Sequence, residues 1–338
     1  MIESIYIESN LREDARVRKI VDKYSRARVI TCEHYGEVFN RKNQHFRLQK
    51  QAPALILANK LGRKIYPVPS NQGIGAPHNY YFSHMLNCPF DCRYCFLQGK
   101  FASANYVLFT NYEDFLSEIN DAIAAHNEMV HVFSGYDCDS LAFEPISEFT
   151  AWLIDHLTQA PNYLVELRTK SAQIRTLLKR SPHPNVLVAY SLAPELVIEN
   201  VEFGTARLHD RLRALNTLQE AGWTIALRLD PLLNFRLAES HYREFFELIA
   251  KSIKLDRVHS VTFGTMRFPD AYLDKIAKLY PDNALLSSLH ESDNGLTSYS
   301  PEIIDNLLSQ AFKFFADNID ASRLFLHQTA DSVTRLHA

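Results

Sequence analysis

Three cysteines stand close together in Cys88-Pro-Phe-Asp-Cys92-Arg-Tyr-Cys95. Thiolates are soft ligands that select zinc or iron–sulfur clusters, and three at this spacing can wrap one metal centre. A structural zinc site takes four protein ligands. No second cysteine pair follows the motif, and His84 is the nearby candidate for a fourth ligand. An iron–sulfur cluster with one iron left open suits three cysteines better. Of the other two cysteines, Cys32 reads as core. Cys138 stands alone in Phe133-Ser-Gly-Tyr-Asp-Cys138-Asp-Ser140, either a small buried hydrophobe or a working thiol.

Those residues must be positioned by alternating elements. Apolar, β-prone runs fall at 80–86, 129–133, 163–167, 186–191, 224–229 and 260–263, with helical patterns at 113–126, 148–157, 206–221 and 242–253 between them. Such alternation argues for parallel strands with crossover helices. A partial barrel and a doubly wound sheet both satisfy it, and in either one ligands gather at the carboxyl ends of the strands. The cysteine loop follows the first run, Cys138 the second, Lys170 the third and Ser191 the fourth. Arg228 and Asp230 close the fifth run and Arg267 follows the sixth, so these three are candidate substrate contacts, or ion-pair partners of one another. Residues 1–76 read as a smaller α/β unit, with strands at 2–7 and 54–58 and a helix at 11–24. A Pro- and Gly-rich stretch at 66–77 marks its boundary. Asn71-Gln-Gly-Ile-Gly-Ala-Pro lacks the Lys of a phosphate loop and reads as a turn.

Composition narrows the class. With 338 residues, 46% hydrophobic and 22% charged, the chain can bury a large core. Its 5 cysteines, 10 glycines and 14 prolines exclude disulfide-scaffold, collagen-like and disordered readings. No apolar run spans a bilayer, and the start, with an acid and no basic region, is not expected to be a signal peptide. A cytoplasmic setting with reduced thiols is the expectation. The net charge of -3 leaves no overall nucleic-acid footprint. Residues 41–64, however, hold seven Lys or Arg and no acid, and 12–28 hold seven against three. Such a region either binds phosphates or is a locally compensated surface.

Cys-x3-Cys-x2-Cys with Tyr94 before its last cysteine resembles the signature of radical S-adenosylmethionine enzymes. Cys92-Arg-Tyr-Cys-Phe-Leu-Gln98 is similar to the Cys-x-Tyr-Cys-Tyr-Leu-Gln of the spore photoproduct lyase family, also called DNA repair photolyase-like. Ile5-Tyr-Ile-Glu8 resembles the opening strand of that family and Phe133 to Ser140 its Cys-x-Ser segment. Glu202-Phe-Gly-Thr205 with Arg211 resembles its Glu-x-Gly-Thr, and Phe263-Gly-Thr-Met-Arg267-Phe its Gly-Thr-Phe-Arg-Phe. The resemblance covers most of residues 1–270.

The resemblance implies an α/β fold, a partial (β/α)6 radical SAM barrel over 77–270. The small N-terminal unit precedes it, and a helical extension follows over 271–338. It implies a [4Fe-4S] cluster on Cys88, Cys92 and Cys95, with S-adenosylmethionine contacted by Tyr94, Ser140, Lys170 and Ser191. The implied reaction begins with reductive cleavage of the cofactor to a 5'-deoxyadenosyl radical. Hydrogen abstraction from a thymine-dimer lesion follows, then C–C cleavage, with Cys138 as hydrogen donor and Tyr94, against the adenine or ribose, as a catalytic residue whose phenol can relay hydrogen atoms. A reduced flavodoxin or ferredoxin would supply the electron, and DNA would carry the lesion. The family's second relay tyrosine is replaced by Phe96. Its lesion-reading hairpin is not evident, its place taken by the acidic segment 290–301, which holds Tyr299 as a further substrate candidate. A different nucleotide, metabolite or peptide substrate, and a structural zinc protein, are the alternatives.

Overall fold

The computed structural model describes residues 2–68, 73–289 and 295–327. The first strands are β1 (Ser4–Glu8), β2 (Arg28–Cys32), β3 (Leu55–Ala58), β4 (Ile65–Pro67), β5 (His78–Phe82), β6 (Met85–Leu86), β7 (Asp91–Cys92) and β8 (Tyr106–Phe109). They are followed by β9 (Val130–Ser134), β10 (Tyr163–Thr169), β11 (Val186–Ser191), β12 (Glu202–Phe203), β13 (Thr224–Leu232) and β14 (Val261–Thr265). The chain ends with β15 (Arg267–Pro269), β16 (Leu296–Ser298) and β17 (Leu324–Leu326).

The main sheet runs β4-β5-β9-β10-β11-β13-β14-β17, parallel from β5 onward, with β4 antiparallel on β5. It curls into a half-barrel. Its strands are Val-, Leu- and Ile-rich because both faces are covered. Val130, Val132, Val186, Val188, Ile225, Leu227, Val261 and Phe263 are all fully buried, packing outward against crossover helices such as Tyr112–Ala124, Leu208–Glu220 and Ala238–Ser252. Inside the curl Phe133, Leu187, Ala189 and Ala226 form a separate small cluster. No helix among the described residues is long and apolar enough to cross a membrane.

The second sheet, β2-β1-β3-β8-β6, departs from the expected boundary at residue 76. The run at 80–86 is broken. Phe82 ends β5 in the barrel, whereas Met85 and Leu86 pair antiparallel with β8 of the N-terminal sheet. Conversely β4, from the N-terminal stretch, edges the barrel. From 270 on lie the helices Asp270–Leu279 and Pro301–Ala316, and β17 adds a parallel strand to β14. The sheets thus interleave in sequence.

Much of the basic N-terminal charge is matched locally. Arg16 pairs with Glu113 at 2.7 Å, and Lys19 and Lys23 converge on Glu148 at 2.5 and 2.9 Å. These contacts seat the helix Ala15–Asp22 on the barrel. Lys50 donates to the carbonyls of Cys88 (2.7 Å) and Phe90 (3.0 Å), and Arg47 to that of Leu279 (2.8 Å). These side chains hold structure together.

Arg228 is corrected from substrate candidate to barrel core. It is fully buried, its guanidinium forked onto Glu166 at 2.6 and 3.0 Å and donating to Ser260. Burial opposes the Glu166 charge, but Arg228 and Arg168 outweigh it and hold the carboxyl well below its usual range. Arg228→Met leaves that carboxylate buried without its main partner and is expected to cost about 3–5 kcal/mol. Adding Glu166→Leu should recover most of the loss. Urea denaturation checks both, and a single variant as stable as wild type would show the pair to be dispensable.

Candidate active site

The strand ends open into a cavity of about 420 Å³. Cys88, Cys92, Cys95, Tyr94, Cys138, Lys170, Ser191, Asp230 and Arg267 all line it. Ser140, Arg228 and Tyr299 do not. Ser140 sits one layer back, where its hydroxyl donates to the cavity-lining Ser134 at 3.1 Å. Gly135, at φ +82°, leaves that hydroxyl room: a Cβ there would lie 2.7 Å from it. The Tyr299 hydroxyl is buried and accepts the Asn234 amide at 3.1 Å, a structural contact. Residues 290–294 of the acidic segment lie outside the described residues, as does part of the Asn71 turn. In place of a tight hairpin, β15 and β16 form an antiparallel ribbon whose Arg267, Pro269 and Leu296 face the cavity.

The cysteine loop is clamped from several sides. Cys92 lies in β7, opposite Glu202 of β12. Glu202 accepts the Tyr94 hydroxyl and the Arg211 guanidinium (2.5 Å). Arg211, wholly buried, also donates to the carbonyls of Ser191 (3.0 Å) and Ala206 (2.9 Å). Burial would raise the Glu202 pKa, but Arg211 and Lys170 prevail and lower it. Burial likewise opposes the Lys170 charge, yet Glu202 and Cys92 outweigh it and its pKa rises. Lys170 stands 5.7 Å over the Tyr94 ring, a fixed cation at the cavity wall.

Asp139, unremarked in the sequence, joins two strand ends. One oxygen accepts Thr169 Oγ1 (2.7 Å) and the amides of Leu141 and Ala142; the other accepts the Lys170 amide (2.6 Å). Cys138 and Lys170 are thereby held on one rim. Burial, then Asp137 and Asp139, push the Cys138 thiol well above its ordinary pKa, so it stays S–H. Arg168 and His327 were also missed. Arg168 lines the cavity and pairs with Glu166 at 2.9 Å. His327, just past β17, stands 3.5 Å from Asp230. Arg267 grips the same carboxylate at 3.0 and 3.1 Å, packed over Gly264, where a Cβ would sit 2.7 Å from the Asp230 carboxyl carbon.

The donor set suits an iron–sulfur cluster. All three motif cysteines are free thiols on one cavity wall; burial raises the pKa of each, and the cations Lys50 and Lys170 offset only part of that rise. Zinc fits less well. Among the described residues no three His, Cys, Asp or Glu side chains gather around one ion-sized point. His84 does not line the cavity and is stacked on Phe149 at 4.2 Å, where burial lowers its pKa to about 3.

A half-barrel with a three-cysteine loop at its carboxyl rim defines the radical S-adenosylmethionine class of fold. The family model for spore photoproduct lyase matches residues 76–295, and the chain belongs to the spore photoproduct lyase family. It is 24% identical over 210 residues to the spore photoproduct lyase of Bacillus subtilis (strain 168), an alignment spanning 61% of each chain. To that of Clostridium acetobutylicum it is 26% identical over 249 residues, 72% of this chain and 73% of the relative. Among solved structures, a spore photoproduct lyase complexed with dinucleoside spore photoproduct superposes with a TM-score of 0.81 at 16% identity, covering 97% of this chain and 98% of the other. A mutant with bound AdoMet and the same dinucleoside gives 0.81 at 16%, covering 98% and 99%.

Asp230 predicts a pH dependence. Burial would raise its pKa, but Arg267 and His327 hold it below the ordinary range. A depressed carboxylate stabilises the fold above its unfolded pKa of about 3.9, and that contribution is lost as pH falls below it. Wild-type stability should therefore fall between about pH 5 and pH 3 more steeply than that of Asp230→Asn. Denaturation midpoints across that window check this, and parallel slopes would refute it.

Proposed function

We propose that this protein is a radical S-adenosylmethionine lyase that repairs a dithymine photoproduct of DNA by C–C bond cleavage, with Cys138 as hydrogen donor. The observation that carries it is the placement of a neutral, buried Cys138 thiol on the same cavity as Cys88, Cys92 and Cys95. Support comes from family membership and from relatives whose structures hold AdoMet and dinucleoside spore photoproduct.

Cys88, Cys92 and Cys95 would hold the [4Fe-4S] cluster, leaving one iron for S-adenosylmethionine. When bound, the two groups supply one-electron chemistry that removes a hydrogen atom from a substrate carbon. Lys170 provides the positive charge that suits the cofactor's carboxylate, and Ser191 offers a hydroxyl on the same wall. Ser140 acts through Ser134. Tyr94, fixed by Glu202, shapes the space beside the cluster. Cys138 then gives a hydrogen atom to the carbon radical left when the methylene bridge breaks, as the weak S–H bond permits. Arg267, oriented by Asp230, faces the substrate side. Reduced flavodoxin or ferredoxin would deliver the electron. A reducing cytoplasm suits five free thiols.

Phe96 favours a second reading, the same radical chemistry on another nucleotide, metabolite or peptide. It lines the cavity where the family carries a tyrosine, and a phenyl ring cannot pass a hydrogen atom.

The test is anaerobic reconstitution with iron and sulfide, then dithionite, S-adenosylmethionine and dinucleotide photoproduct. Thymidine dinucleotide and 5'-deoxyadenosine should form, and Cys138→Ala should abolish or divert repair while retaining its iron. Deoxyadenosine without repair favours the second reading. Neither product, with no cluster absorbance, overturns both and leaves zinc.

A further inference from the structure

Cys138 lies between two acids, and each is anchored to a different part of the site. Asp139 ties it to the end of β10, through Thr169 and the Lys170 amide. Asp137 reaches the other way. Its amide donates to Ser83 Oγ at 3.0 Å, and its carboxylate meets Lys100 Nζ at 2.5 Å.

Lys100 belongs with the cysteine loop. It closes the short helix Leu97–Lys100 that follows Cys95, and its amide donates to the Phe96 carbonyl at 3.0 Å. In the same helix the Gln98 side chain donates to the Cys92 carbonyl at 2.6 Å and to Asp91 at 3.1 Å, which fastens the helix to the loop. The Lys100 ammonium stands 5.9 Å over Phe96 on this side and 5.5 Å over Tyr136 on the Cys138 side, and the two rings meet at 5.5 Å. One side chain thus bridges the segment with the three motif cysteines and the segment with the donor thiol.

The pair is shielded from water. Side-chain exposure is 26% at Lys100 and 10% at Asp137, and among the described residues no other ion pair reaches the Asp137 carboxylate. A carboxylate at that depth without its cation turns toward water, and here it would draw the adjoining thiol with it. We propose that Lys100 is a positioning residue for hydrogen transfer: through Asp137 it holds Cys138 in place against the cysteine loop, while Asp139 holds it against Lys170. This rests on the reading of Cys138 as the hydrogen donor.

Two measurements on the anaerobically reconstituted full chain test it. In the first, alkylation of Cys138 by iodoacetamide is followed by mass spectrometry without substrate. Lys100→Met should speed it by about 10-fold, between the effects of exposed and wholly buried ion pairs, and Lys100→Arg should keep the wild-type rate. The unopposed Asp137 charge would by itself lower the thiolate fraction, so faster alkylation reads release of the loop and not a changed pKa. In the second, the dinucleotide photoproduct is turned over with dithionite and S-adenosylmethionine. 5'-Deoxyadenosine forms before the thiol is needed. The yield of thymidine dinucleotide per 5'-deoxyadenosine should therefore fall by about 10-fold in Lys100→Met and recover in Lys100→Arg. Lys100→Gln keeps the stem over both rings and removes the charge, so it gives the same comparison should Lys100→Met take up no iron. Unchanged alkylation, or faster alkylation with an unchanged yield ratio, would overturn the positioning role. A wild-type protein that forms 5'-deoxyadenosine and no repaired dinucleotide would overturn the photoproduct reading of the cavity. The alkylation comparison uses no substrate and still decides the bridge.

Discussion

Glu202 is a carboxylate taken entirely out of water, and a buried charge persists only where opposite charge and hydrogen bonds surround it. Its partners come from far apart in the chain: Tyr94 from the cysteine loop, Arg211 from the helix Leu208–Glu220, and Lys170 from the end of β10. Satisfying this one group brings the cysteine loop, a crossover helix and a strand end to the same corner of the barrel. Arg211 extends the constraint to the end of β11 through the Ser191 carbonyl. The cysteine loop has little regular structure of its own, so its shape depends on this network and on the Lys50 contacts beneath it.

Asp139 plays a matching part beside it, sharing Lys170 with the Glu202 network. By accepting from both β10 and its own loop it holds Cys138 beside Lys170. Together with Asp137 and burial it keeps the thiol protonated. A protonated thiol has a hydrogen atom to give; a thiolate would not. Burial raises the pKa of all four cysteines of the cavity; Lys50 and Lys170 oppose it at the motif cysteines, whereas Asp137 and Asp139 add to it at Cys138.

The six strands and their helices were legible because parallel strands covered on both faces read as uninterrupted apolar runs. Val186–Ser191 agrees to the residue. The short strands β2, β4, β8 and β17 were missed, being three to five residues long and lacking a distinct signal. The run at 80–86 was read as one strand because periodicity does not reveal that its two ends pair in different sheets.

By itself the sequence determined the three-cysteine loop after a first strand, the alternation that makes a curled parallel sheet, and the strand-end positions of Cys138, Lys170, Ser191, Asp230 and Arg267. Tertiary structure alone decided the height of each charge within the barrel. Arg228 and Asp230 are two residues apart on one strand, yet Arg228 lies below the cavity on Glu166 and Asp230 on its wall against Arg267. It also decided that Ser140 stands behind Ser134, and that His327 and Tyr66 arrive from the ends of the chain at the two edges of the sheet. The physical reason is that alternation along a strand encodes only which face a side chain takes. Depth and partner depend on strands folded in from elsewhere, and the low dielectric of the interior then selects the pairs that survive.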